Sequence, residues 1–125
     1  MLGPVVAGPR DEAGSRLCEA MLALWEDPVL QPRALAILRS VVLDPQRARG
    51  FREFLTEELV PRLATCARGP EPQRQAALGV AQLLGVVWGR YVLELEPFTA
   101  LSVPELVERI GPVVQGHLDG LFTPQ

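Results

Sequence analysis

Apolar residues recur along the chain at close to helical spacing, in arcs separated by short polar or proline-bearing breaks. Over about residues 10 to 27, Leu17, Cys18, Met21, Leu24 and Trp25 fall on one side of a helical wheel. Glu12, Arg16, Glu19 and Glu26 fall on the other, which predicts a half-buried helix ended by Asp27-Pro28. A second helix is expected over about 31 to 43. Ala34, Leu35, Ile37, Leu38, Val41 and Val42 point inward there, Arg33 and Ser40 outward, with Pro32 tolerated in the first turn. Asp44-Pro45 supplies an N-cap followed by proline at the first helical position. It opens a third segment to about Ala67, striped by Ala48, Phe51, Leu55, Leu59 and Cys66. Pro61 removes a backbone donor and crowds the Glu57 carbonyl, so a kink is expected there. The cluster Gly69-Pro70-Glu71-Pro72 turns the chain into a fourth helix, about 72 to 95, closed by Glu96-Pro97. Ser102-Val103-Pro104-Glu105, with Ser and Glu three apart as in a capping box, starts a fifth that runs to about Phe122. No stretch alternates with the period of a strand, and no internal repeat is visible. The expected fold is all-α, an orthogonal or antiparallel bundle of five helices.

The fourth helix is apolar on nearly every side. Val80, Leu83, Leu84, Val87 and Tyr91 occupy one face, and Leu78, Ala81, Gly85, Gly89 and Val92 the other. A small domain has one core, so the second face must lie centrally in the bundle or meet another chain. Gly79, Gly85 and Gly89 together cost about 3 kcal/mol of helix propensity, and close helix approach would offset that. The fifth helix offers a mate through Leu106, Val107, Ile110, Val113, Val114, Leu118 and Leu121. The expectation is a homodimer in which the last two long helices meet their symmetry copies. Leu78, Gln82, Gly85, Gly89, Val92, Ile110, Val114 and His117 would form the interface. A monomeric bundle that buries both faces internally is the alternative.

Composition narrows the partners. The chain has 125 residues, room for one domain with a core and too few for two. Its 48% apolar and 22% charged residues exclude intrinsic disorder and a disulfide scaffold. A net charge of −3 argues against a direct grip on nucleic-acid phosphates, which needs clustered positive charge. The longest uncharged run, Gln75 to Gly89, is fifteen residues, short of the ~20 that span a bilayer, so no membrane partner is expected. Met1 to Pro9 lacks a basic start and a cleavage site, which leaves a cytoplasmic location as the expectation. Cys18 and Cys66 read as small buried hydrophobes. All 12 basic residues are Arg, and Lys and Asn are absent, the codon bias of a GC-rich genome.

Catalytic chemistry is poorly supplied. His117 is the one histidine, at the edge of an apolar arc where an interface role outweighs that of a general base or metal ligand. Ser15, Ser40 and Ser102 fall on outer helix faces or at a cap, and none occupies a strained strand-to-helix turn. Glu57/Glu58 and Glu94/Glu96 read as solvated surface, and no Gly-rich phosphate loop is present. Neither an enzyme nor a metal or cofactor site is expected. Met21, Trp25, Phe51, Phe54, Leu55, Trp88 and Tyr91 point inward from several helices and are the candidate ligand-binding residues. They either line a cavity for a small hydrophobic molecule or fill the core. Arg90 and Gln82 flank the fourth helix, where they would bond a ligand or a partner helix or extend into solvent.

The order of helices carries a resemblance, together with Gln82-Leu83-Leu84-Gly85, Gly89-Arg90-Tyr91-Val92-Leu93, Glu96-Pro97 and Ser102-Val103-Pro104-Glu105-Leu106-Val107. These residues resemble the C-terminal regulatory domain of TetR-family transcriptional repressors, notably the actinobacterial type, over about residues 12 to 122. The resemblance implies a homodimer built by the fourth and fifth helices, and a pocket for a small lipophilic effector enclosed by the first four. It also implies DNA contact only through an N-terminal helix-turn-helix domain that this sequence lacks. On that reading residues 1–9 are the remnant of a linker, 10–122 the regulatory domain and 123–125 a tail, and the chain is a fragment or a natural truncated product. The other functional reading is a stand-alone helical interaction or scaffold domain without a pocket.

Overall fold

The computed structural model describes residues 3–122, the side chain of Pro4 excepted. The expected tail, 123–125, and the first two residues of the expected linker lie outside the described residues. The described chain is all-α: α1 Gly3–Ala7, α2 Ala13–Glu26, α3 Leu30–Leu43, α4 Pro45–Phe54, α5 Val60–Ala64, α6 Pro72–Val87, α7 Glu96–Thr99 and α8 Val103–Leu118. Two π-helical segments extend these, Leu55–Leu59 between α4 and α5 and Trp88–Val92 at the end of α6.

Local sequence chemistry sets the helix starts. The Asp27 carboxylate accepts from the amides of Val29 and Leu30 at 2.8 and 3.1 Å and so turns α2 into α3. Asp44 accepts from the Gln46 amide at 2.9 Å, with Pro45 opening α4. At α8 the full capping box forms: Ser102 Oγ accepts from the Glu105 amide at 3.3 Å, and Glu105 Oε1 accepts from the Ser102 amide at 3.1 Å. The bond from the Ser102 amide, with the Ser102 hydroxyl adding to it, holds the Glu105 carboxyl below its usual range. The irregularity expected at Pro61 is the π segment just before it, where the Val60 amide donates to the Leu55 carbonyl. A wider coil relieves the crowding that proline imposes on the preceding turn.

The core lies where α2, α6 and α8 meet. Leu17, Cys18 and Leu22 come from α2, Val80, Leu83 and Val86 from α6, and Leu106, Val114 and Leu118 from α8, closed from below by Leu63 of α5. The α2–α8 contact is a glycine crossing. A Cβ on Gly14 would stand 2.6 Å from the Gln115 nitrogen, and one on Gly111 would stand 2.5 Å from Ser15 Oγ. A close helix approach is thus made within one chain by glycines other than those of α6. Gln115 fixes the same crossing by accepting from the Gly14 amide at 2.8 Å.

A buried glutamine and a half-buried arginine close the bundle's ends. Gln75 Nε2 donates to the carbonyls of Arg68 and Leu118 at 2.8 and 3.1 Å, which ties the end of α8 to the turn before α6. Arg16, expected on the outer face of α2, donates to the Val5 carbonyl through Nε and Nη2 at 3.1 and 2.6 Å and to the Pro9 carbonyl at 2.7 Å. It thereby holds α1 against α2, with Val5 buried in the core.

The α3–α4 hairpin is different, because neither helix buries a single residue. Ile37 and Val42, expected inward, are 56% and 65% exposed. Helix α3 packs mainly on α2 along one edge and on α4 along another, which leaves much of its apolar surface exposed. Leu22 corrects the α2 reading in the opposite sense, since it is fully buried yet lay outside the arc the wheel selected.

Candidate functional site

The π-helical segment Trp88–Val92 is where most of the unusual geometry gathers. Its wider coil is closed by the Leu93 amide on the Trp88 carbonyl at 2.8 Å, and the Leu95 amide then returns to the Gly89 carbonyl at 2.8 Å. Glu94, between them, has φ of 51°, a left-handed conformation uncommon outside glycine and asparagine, which ends the helix sharply. Isolated π turns inside α-helices frequently mark functional positions, because they rotate successive side chains onto neighbours that a regular helix would not reach.

Each residue of the segment meets a different neighbour. Gly89 lies under the ring of Phe98, and a Cβ there would approach the ring carbons to 2.9 Å. Arg90 Nη1 donates to the carbonyls of Phe98 and Leu101 at 2.7 and 2.6 Å, and Nη2 stands 3.7 Å from the Glu26 carboxylate. Arg90 therefore clamps α7 to the segment, an internal role in place of those weighed from sequence. Tyr91 stacks on Trp25 of α2, with ring centroids 5.2 Å apart and planes 21° from parallel. The Tyr91 hydroxyl is buried without a hydrogen-bond partner. Burial, with the neighbouring Glu26 carboxylate adding to it, pushes that phenol up to about 12.

Trp88 and Val92, one turn apart, face outward into a groove against α3. Leu35, Leu38, Arg39, Val42 and Leu43 form its opposite wall, around a volume of about 260 Å³. The walls are almost wholly carbon. Such concavities between helices are the usual seat of small apolar ligands, and this one is slightly smaller than most.

Of the candidate ligand residues, Trp88 lines this groove. Trp25 and Tyr91 are stacked on one another behind it, and Met21 and Leu55 pack on the core. Phe51 is half-buried on α4, and Phe54 is exposed to solvent. The aromatic set is thus distributed through the bundle and not gathered around one cavity. The α3 wall was missed as a site because Leu35, Leu38 and Val42 recur at the same spacing as ordinary core positions.

The expected interface positions also divide. Leu78, Gln82 and Gly85 are exposed, with Ala77 and Ala81 beside them, and nothing lies within 4 Å of a Cβ placed on Gly85. They form a smooth, largely apolar flank on α6. Gly89 and Val114 are corrections: Phe98 covers the first, and the second is fully buried against Gly79. Val92 belongs to the groove, and Ile110 packs partly on the core. His117 is half-buried, its ring edge-on to Phe122 at 4.8 Å. Both cysteines are free and buried, and burial with the nearby Glu19 charge pushes the Cys18 thiol up to about 11.

No helix among the described residues is long and apolar enough to cross a membrane. No match was found among curated proteins or solved structures. The sequence model of one family, described as "Tetracyclin repressor-like, C-terminal domain", matches residues 11–118, from the turn before α2 to the last residue of α8. With that match covering the whole bundle that carries the groove and the α6 flank, the chain belongs to the TetR-family C-terminal domains.

Proposed function

We propose that this chain is the effector-binding and homodimerising domain of a TetR-family transcriptional repressor, and that a small hydrophobic molecule in the α3 groove relieves DNA binding by a helix-turn-helix domain. Family membership supports the coarse part, since TetR C-terminal domains belong to regulatory proteins that dimerise and bind small-molecule effectors. The observation that carries the finer part is the groove's position on the π-helical segment. Trp88 and Val92 face the groove, while Gly89, Arg90 and Tyr91 hold α7 and α2 from the same turn. An occupant that moves Trp88 moves Tyr91 with it. Tyr91 stacks on Trp25 of α2, and Arg16 of α2 holds α1. A contiguous path of packed groups thus runs from groove to N-terminus, the end at which we place the DNA-reading domain.

The second half of the reading is dimerisation through the flank Ala77, Leu78, Ala81, Gln82 and Gly85. Its small residues let α6 of a symmetry copy approach closely, the geometry an isologous helix-to-helix contact requires.

A thermal-shift screen with small apolar molecules tests the effector role. Stabilisation should follow mass action for the protein and be lost in Trp88→Ala. Light scattering tests the second role: about twice the chain mass for the protein, and a shift toward monomer in Gly85→Leu, which overpacks the flank. A protein that is monomeric and silent to every ligand would favour the other reading, an interaction domain that docks a different protein on its exposed apolar residues.

A further inference from the structure

We infer that the groove between α3 and Trp88–Val92 takes an amphipathic anion, an apolar body lying on Leu35, Leu38, Val42 and Trp88 with its negative end held at the rim by Arg39. This rests on the effector-binding reading and adds the ligand's charge and size.

Arg39 is the one charged residue among those that line the groove. It is exposed, and no carboxylate of the described residues pairs with it. None could do so from its own helix, because α3 contains two arginines and no acidic residue. The groove's walls being almost wholly carbon, Arg39 contributes its aliphatic stem there and keeps the guanidinium at the water edge, the usual compromise for a long charged side chain. A ligand that fills the groove with hydrocarbon therefore ends beside a planar cation with free donors, a geometry suited to a carboxylate.

The charge of the hairpin has the same sign. From Leu30 to Phe54 the hairpin carries Arg33, Arg39, Arg47, Arg49 and Arg52 against Asp44 and Glu53, a net +3 in a chain of net −3. Two of these arginines lie on α3, which forms the groove's outer wall, and three on α4 behind it in sequence, and positive charge on one wall attracts a negative ligand. On that wall the charge disfavours a cationic ligand, and the acidic Glu94 and Glu96 lie beyond Val92 on the other. Size follows from volume: a cavity of ~150 Å³ takes benzene, so about 260 Å³ takes an apolar body of about ten non-hydrogen atoms. A medium-chain carboxylate meets each requirement.

Octanoate, octan-1-ol and octylammonium, used below the concentrations at which they self-associate, separate charge from hydrocarbon. Binding is measured by calorimetry and by tryptophan fluorescence, with Trp25→Phe used to isolate the Trp88 signal. Octanoate should bind about fivefold to tenfold more tightly than octan-1-ol at low salt, and octylammonium most weakly. Raising salt from about 50 to about 500 mM should shrink the octanoate preference. Arg39→Gln, at an exposed position that leaves the fold intact by circular dichroism, should bring octanoate down to octan-1-ol while leaving octan-1-ol unchanged. Arg33→Gln, whose side chain does not line the groove, should keep the preference. Equal binding of the three probes, or a preference that survives Arg39→Gln, overturns the anion assignment and leaves the effector reading standing. Failure of all three to bind overturns it as well, and the effector reading falls only if the wider apolar screen also fails.

Discussion

Helices α2 and α3 are both 14 residues long and similarly rich in apolar side chains, yet α2 buries six residues and α3 none. Their difference is one of neighbours. Helix α2 is sandwiched by α8, α6 and α3, and its glycine crossing with α8 brings the two backbones close enough for dense packing. Helix α3 has α2 on one edge and α4, itself without a buried residue, on another. A hydrophobic stripe measures what a helix can bury, and the number of helices around it decides what it does bury. The α2–α6–α8 unit is therefore the stable frame, and the α3–α4 hairpin is the element with little to lose on moving. On the reading proposed above, an effector groove walled by α3 would sit where structural response costs least.

Leucine truncations should expose this contrast most strongly. Leu22→Ala, in α2 and fully buried, should cost about 3 to 4 kcal/mol in urea unfolding, from lost transfer energy and the cavity left behind. Leu43→Ala, in α3 and 83% exposed, should stay within about 0.5 kcal/mol. A large loss at Leu43 would mean that something covers the hairpin and would erase the distinction.

Two glycines sharpen it further, with opposite signs. Gly14→Ala places a methyl 2.6 Å from the backbone of α8 and should destabilise by about 2 kcal/mol, because backbone must move to admit it. Gly85→Ala meets open space within the chain and should stabilise the monomer by up to about 1 kcal/mol through helix propensity. A loss at Gly85 measured in concentrated protein and absent on dilution would indicate a partner helix on that flank.

Alkaline titration probes the seam between frame and groove. The Tyr91 phenol and Cys18 thiol are pushed up, to about 12 and about 11, so each holds its proton more tightly folded than unfolded. Their contributions are complete below the unfolded values of about 9 for cysteine and about 10 for tyrosine, and are lost as pH rises through about 11 and 12. Melting temperature should fall over that range. Tyr91→Phe, which also removes an unpartnered buried hydroxyl, should flatten the upper part of the fall. An unchanged slope would mean that Tyr91 is solvated.

What the sequence made legible divides along the same line. Caps act within four residues, so Asp44-Pro45 and the Ser102/Glu105 box were readable and formed as expected. The order of the five expected segments followed from proline punctuation for the same reason, while the short helices α1 and α7 were not expected and the third segment is divided into α4, a π segment and α5. The inward faces of α2 and α3 were only half legible: Leu22 was overlooked and Ile37 over-counted, because a wheel ranks residues by apolar character without knowing which flank has a neighbour. The glycine crossing of α2 and α8 was not legible, since the partners of Gly14 and Gly111 are separated from them by most of the chain. The groove was the least legible. It depends on a π turn with no composition signature, which places Trp88 in the groove and Tyr91 against Trp25 from neighbouring positions.

The finest test uses two caps of similar chemistry on opposite sides of the divide. Asp44 caps α4 in the hairpin, and Ser102 caps α8 in the frame. Either cap is worth about 1 kcal/mol to its own helix. Where a helix unfolds only with the whole domain, that energy appears in global stability, and Ser102→Ala should lower the unfolding free energy by about 1 kcal/mol. Where a helix opens first by itself, its cap governs the local opening and disappears from the global transition. Asp44→Ala should therefore speed hydrogen exchange across α3 and α4 by about fivefold while moving the urea midpoint very little. Equal midpoint shifts for the two variants would make the hairpin part of one cooperative unit with the frame. The groove would then have a rigid outer wall, and an effector would have to act by displacing the whole bundle.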